Sequence, residues 1–126
     1  MKSFFRYGNP IVEIFIEGKK VEMLLDTGFN GHILLPQMVI KELNLEQIGI
    51  SDYLTASGEE VITKIYKGKI DFFDKQVDVT ILSTDSDFSL AGMELFHECR
   101  IIIERYKNII EIIRSKWFFK KLRSDF

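Results

Sequence analysis

Apolar and polar residues alternate with a period of two along most of the chain. Ile11, Glu13, Phe15 and Glu17 interleave with Val12, Ile14 and Ile16, which predicts a strand over residues 11–17, closed by a Gly18-Lys19-Lys20 turn. Residues 21–25 are more uniformly apolar and predict a strand buried on both faces. Asp26-Thr27-Gly28-Phe29-Asn30-Gly31 has the composition of a loop, and residues 32–35 that of a further strand ending at Pro36. Pro36 suits the first turn of a helix, and Gln37–Leu43 places Met38, Val39 and Leu43 on one side of it. Residues 50–56 and 60–66 flank Ser57-Gly58-Glu59, a hairpin in which Gly58 supplies a positive φ. Residues 69–73 and 76–82 predict a second hairpin about Asp74-Lys75, followed by a polar loop over 83–88. Leu90-Ala91-Gly92 leads into a short helix over 93–98, and residues 100–104 and 108–113 make a last hairpin about Tyr106-Lys107. Many short strands with two brief helices predict an all-β domain, closed or sandwiched.

Composition narrows the picture. With 126 residues, 46% hydrophobic and 29% charged, the chain is one ordinary globular domain with a real core. No apolar run reaches the ~18–20 residues that span a bilayer, and the first residues lack the apolar stretch of a secretory signal. The single cysteine, Cys99, closes no disulfide within the chain, so an intracellular, cytoplasmic protein is expected. A net charge of −2 argues against nucleic acid as a partner. The charge is uneven: Arg114, Lys116, Lys120, Lys121 and Arg123 face only Asp125 in the last thirteen residues, so an acidic body carries a basic tail.

One motif stands apart. Met23-Leu24-Leu25-Asp26-Thr27-Gly28 puts a carboxylate at the end of an apolar strand, where an acid is costly unless it is paired, hydrogen-bonded or functional. Gly28 allows a sharp bend and a close approach, and Thr27 offers a donor to tie the loop down. Taken alone, Asp-Thr-Gly is also ordinary turn composition.

The surroundings raise its weight. Across residues 11–113 the chain resembles the retropepsin-like aspartic proteases, the one-domain proteases of retroviruses and their cellular and bacterial single-domain relatives. The matching order is strand–turn–strand, Leu24-Leu25-Asp26-Thr27-Gly28, and the apolar strand Ile33-Leu34-Leu35. Then come Thr55-Ala56-Ser57-Gly58, like the family's flap tip, and Tyr66-Lys67-Gly68-Lys69-Ile70, like the strand returning from it. Leu90-Ala91-Gly92-Met93-Glu94-Leu95-Phe96 resembles the apolar-apolar-Gly element before the family's helix. The chain departs from retroviral members at Phe29-Asn30, where they carry Ala and an acid, and at Met93, where many carry Arg. Those two groups pair in such members, so their joint loss leaves no buried charge unpartnered. Phe29-Asn30-Gly31 looks more like the bacterial members.

The resemblance implies a closed retropepsin-like barrel with a flap hairpin, assembled as a homodimer. Asp26, Thr27 and Gly28 are the catalytic residues it implies, and Phe29, Asn30, Ala56, Ser57 and Gly58 the residues against a peptide or protein substrate. No cofactor and no metal are implied. Acid catalysis of this kind needs two carboxylates that share one proton, because like charges about 3 Å apart cannot both ionise. The chain holds one Asp-Thr-Gly and no second: Ser83-Thr84-Asp85-Ser86-Asp87 lacks the glycine and Ala56-Ser57-Gly58 lacks the acid. The second carboxylate must then be Asp26 of another copy on a two-fold axis.

Other readings weigh less. Cys99 with His32 or His97 could form a thiol–imidazole pair, but Cys99 precedes an Ile-rich strand and fits a small core residue; His32 is expected to be exposed on its strand. His97-Glu98-Cys99 offers too few ligands for a structural zinc, and Asp85, Asp87 and Glu94 match no calcium loop. The domain is assigned to residues 1–113. Residues 114–126 form a basic amphipathic tail whose Phe118, Phe119, Leu122 and Phe126 share a helical face. Packing on its own domain, a dimer interface or contact with a membrane surface would each cover that face. The alternative function is a catalytically silent peptide-binding or oligomerisation module of the same fold.

Overall fold

The structure is a computed structural model that describes residues 1–54 and 56–115. It is mostly β, with 61% of the described residues in strands and one short helix. The elements in order are β1 (Lys2–Arg6), β2 (Asn9–Ile16), β3 (Lys19–Leu25), β4 (Ile33–Pro36), α1 (Gln37–Leu43), β5 (Glu46–Leu54), β6 (Glu60–Phe72), β7 (Lys75–Thr84), β8 (Leu90–Ala91), a 3-10 turn at Met93–Phe96, β9 (Cys99–Glu104) and β10 (Ile109–Arg114).

Tight left-handed turns join the antiparallel neighbours. Tyr7-Gly8, Glu17-Gly18 and Phe73-Asp74 all have positive φ at both positions, between strands whose ends pair across two-residue loops. Such turns twist with the strands they connect. The second hairpin therefore turns at Phe73-Asp74, one position before the predicted Asp74-Lys75.

Eight strands form one sheet in the order β1-β2-β3-β8-β4-β7-β6-β5, and β2 also meets β6 at Ile16–Ile70, bringing the sheet back on itself. There the Glu17 N–H donates to Lys69 C=O at 2.8 Å, and the Glu17 carboxylate accepts from the Lys69 N–H at 2.9 Å. Ile14, Ile16, Met23, Ile33, Leu35, Ile70 and Ile81 lie fully buried inside the curl. β9 and β10 form a separate two-stranded sheet laid on β1, where the Ser3 hydroxyl donates to Ile110 C=O at 3.0 Å.

Several expectations change in detail. β3 alternates, with Met23 and Leu25 buried on one face while Glu22 is exposed and Leu24 half-covered on the other, so only one of its faces is buried in the core. The helix keeps its predicted bounds, but Ile40 and Leu43 are its buried residues and Met38 faces solvent at 72% exposure. β6 is one thirteen-residue strand where two were expected. Lys67-Gly68 reads as a break, yet a Cβ on Gly68 would sit 2.5 Å from Ile81 Cδ1, so this glycine serves packing inside a strand. Ser83 and Thr84, expected in a loop, are buried at the end of β7. The short helix expected over residues 93–98 is the 3-10 turn Met93–Phe96. Of the tail, residues 116–126 lie outside the described residues.

Candidate active site

β3 and β8 run parallel, pairing Leu24 with Leu90 and Leu25 with Ala91. The ladder extends one rung past the strand: the Asp26 N–H donates to Ala91 C=O at 2.9 Å, as Leu24 N–H does to Ser89 C=O. Asp26 is thus held by backbone at the edge of the core, with its side chain half-exposed.

The chain then turns on its own carboxylate. The Gly28 N–H donates to Asp26 Oδ1 at 2.9 Å, and the Phe29 N–H to Asp26 C=O at 3.2 Å. A backbone donor on one carboxylate oxygen fixes the side-chain orientation without neutralising its charge. The loop is stitched to the segment after β8 by Met93 N–H to Phe29 C=O and Gly92 N–H to His32 C=O, both 2.8 Å. Two glycines make that approach possible. A Cβ on Gly92 would lie 2.2 Å from the Gly31 carbonyl oxygen, and one on Gly31 would lie 2.6 Å from the Phe29 ring.

Above this loop stands the β5–β6 hairpin. It is pinned partway along by buried Thr63, whose hydroxyl donates to Ser83 C=O at 2.7 Å and lies 2.8 Å from Ser83 Oγ. Gly58 near its tip has φ +83° with open space around it. Between hairpin and loop lies a cleft of about 930 Å3, with Leu24, Asp26, Gly28, Phe29 and Leu34 on one side and Leu54, Ala56, Val61 and Ile62 on the other. Phe88 and residues 83–86 close its flank. A second cleft of about 800 Å3 shares Gly28, Phe29 and Leu54 with the first and runs past Asn30, His32, Asp52, Glu60 and Glu94. In it Asp52 raises the pKa of Glu60 through a side-chain hydrogen bond and like charge.

Most of the residues singled out from sequence therefore converge. Asp26, Gly28, Phe29 and Ala56 line the larger cleft and Asn30 the smaller. Thr27 is exposed at the loop and lines neither cleft, and Ser57 and Gly58 lie at the exposed hairpin tip.

His32 was missed. It is half-buried rather than exposed, in the bend before β4, and its Nδ1 accepts the Thr80 N–H at 3.1 Å. Burial lowers its pKa, with Glu94 opposing and His97 adding to the shift. No sequence pattern announces a ring nitrogen bonded to backbone so far along the chain. Cys99 is half-buried, and burial raises its thiol pKa, the wrong direction for a nucleophile. Among the described residues no three His, Cys, Asp or Glu side chains gather as a metal site, and no helix is long and apolar enough to cross a membrane.

No family model and no curated protein matches the sequence. Solved structures do match. A retropepsin-like aspartic protease from Rickettsia conorii is similar over 90% of this chain and 87% of its own, with 23% identity and a TM-score of 0.65. EIAV protease, solved with an inhibitor, is similar over 71% of this chain and 86% of its own, with 18% identity and a TM-score of 0.59. At these identities the likeness is one of architecture, and it extends over most of both neighbours: the chain has a retropepsin-like fold.

Proposed function

We propose that the protein is an aspartic endopeptidase, active as a homodimer in which Asp26 of each protomer supplies one carboxylate of a shared dyad. The observation that carries this reading is Asp26 itself: a half-exposed carboxylate at the end of a core strand, one oxygen tied to the Gly28 N–H, opening on a cleft beneath a hairpin. Both structural neighbours are proteases of that architecture, which supports the reading.

The chemistry follows from the pair. Two carboxylates meeting on the axis hold one proton between them. The ionised member takes a proton from a water that attacks the peptide carbonyl, and the protonated member donates to the carbonyl oxygen. Thr27-Gly28 belongs to the same turn, and Phe29 and Asn30 extend the wall along which the substrate lies. Ala56, Ser57 and Gly58 close over it and exclude water. The Ile16–Ile70 pairing supports a closed barrel, and Arg114, counted with the tail from sequence, is the last residue of β10. A cytoplasmic setting suits the lone Cys99.

The test is a diverse peptide library incubated with the full chain between pH 4 and 7, beside Asp26→Asn and with sedimentation at the assay concentration. Cleavage by the wild-type dimer that vanishes in Asp26→Asn is the expected result. Equal cleavage by the variant, or a fully active monomer, overturns the assignment. Stoichiometric peptide binding without turnover would favour the silent binding module.

A further inference from the structure

His32 is bonded to two separate parts of the fold. Its carbonyl oxygen receives the Gly92 N–H at 2.8 Å, and its ring Nδ1 receives the Thr80 N–H at 3.1 Å. Thr80 lies one residue before Ile81, where the parallel pairing of β7 with β4 begins opposite Ile33. The imidazole therefore stands in for a ladder rung beyond the end of β4, tying the Asp26 loop to β7.

That bond dictates a protonation state. A backbone N–H only donates, so Nδ1 must carry its lone pair and the ring proton must sit on Nε2. Adding a second proton sets donor against donor, and the bond is lost. The groups around the ring pull both ways. Glu94 in the 3-10 turn favours charge on the ring, His97 just after the turn opposes it, and burial outweighs Glu94. Asp52 and Glu60, from the flap strands, line the same cleft.

We propose that His32 is a positioning residue for the Asp26 loop: neutral, it clamps the loop to β7, and its protonation releases the clamp, so that this imidazole shapes the acid limb of activity. The catalytic half of that statement rests on the aspartic-protease reading; the clamp does not.

The experiment uses the full-length protein between pH 7.5 and 4.5. Nitrogen-detected NMR of the imidazole should show the Nε2–H tautomer, titrating below a free histidine. Thr80 amide exchange, corrected for its intrinsic pH dependence, should accelerate through the same midpoint. His32→Asn places a non-titrating carbonyl oxygen near the position of Nδ1. It should keep Thr80 protected throughout and extend cleavage, normalised to its own rate at pH 7, toward lower pH. His32→Ala should lose the protection at every pH; if it does not fold, the titration and His32→Asn decide alone.

An Nδ1–H tautomer, or Thr80 exchange indifferent to the imidazole titration, overturns the clamp. A protected His32→Asn with an unchanged acid limb overturns its link to catalysis. Absence of cleavage by the wild type at any pH overturns the protease reading instead, and leaves the clamp to the NMR measurements.

Discussion

Replacing Gly92 by alanine tests how the candidate loop is held. Its φ of −100° is open to any residue, so backbone strain plays no part and contact alone decides. The new Cβ would lie 2.2 Å from Gly31 O, 2.6 Å from Phe29 Cδ2 and 2.8 Å from Phe29 O. Two of those three atoms are backbone, so no rotamer change removes the overlap, and the loops must part by roughly 1 Å to reach ordinary contact. Such a shift strains the bonds from Gly92 N–H to His32 and from Met93 N–H to Phe29, both 2.8 Å. Overpacking costs about 1–3 kcal/mol, and each weakened hydrogen bond adds up to about 1 kcal/mol. A loss of about 3–4 kcal/mol lowers the melting temperature of a domain this size by roughly 10–15 °C. Thermal unfolding followed by circular dichroism reads the effect, with Gly49→Ala as control: its Cβ meets nothing within 4 Å and should change stability by less than about 0.5 kcal/mol. If Gly92→Ala melts with the wild type and the control, the loops are not packed as described.

Three further outcomes are expected. Gly58→Val forces a β-branched residue into φ +83° at an open hairpin tip, so it should lower peptide turnover while moving the unfolding midpoint far less than Gly92→Ala; the reverse pattern would make the tip part of the core. Thr63→Val strips the hydroxyl from the buried Ser83 pair and should cost about 1–3 kcal/mol in urea unfolding, and an unchanged midpoint would deny that the pair pins the hairpin. Because the His32 pKa is lower folded than unfolded, its contribution is complete above about pH 6.5 and is lost as pH falls through the folded value; the midpoint difference between wild type and His32→Asn should therefore move against the wild type on acidification, and a constant difference would refute the linkage.

Much of the strand pattern was legible, because alternation and turn residues are local. β2, β3, β4, α1 and the last hairpin emerge near their predicted places. The Asp26 turn was legible for the same reason, since its defining bond spans two residues. What escaped depends on distant partners. β1 offers only Ser3-Phe4-Phe5 between charges, and it becomes a strand through β2 and the Ser3–Ile110 bond. Gly68 punctuates in sequence but packs under Ile81 in space. Ser83 has loop chemistry until Thr63 satisfies it in the core. Met38 fits an apolar helical face by spacing, yet the helix is too short for spacing to decide which face docks. His32 and the Gly31–Gly92 contact are set by loops that meet only in the finished fold.

The parallel pairing of β3 with β8 bears on the timing of synthesis. Asp26 emerges from the ribosome well before the backbone that fixes it, at Leu90 and Ala91. Hairpins such as β2–β3 can form as they emerge, whereas a parallel rung must wait for its distant partner. A nascent chain thus carries the aspartate without the cradle that orients it until residues 90 and 91 have followed, and on the proposed reading the site is incomplete up to that point.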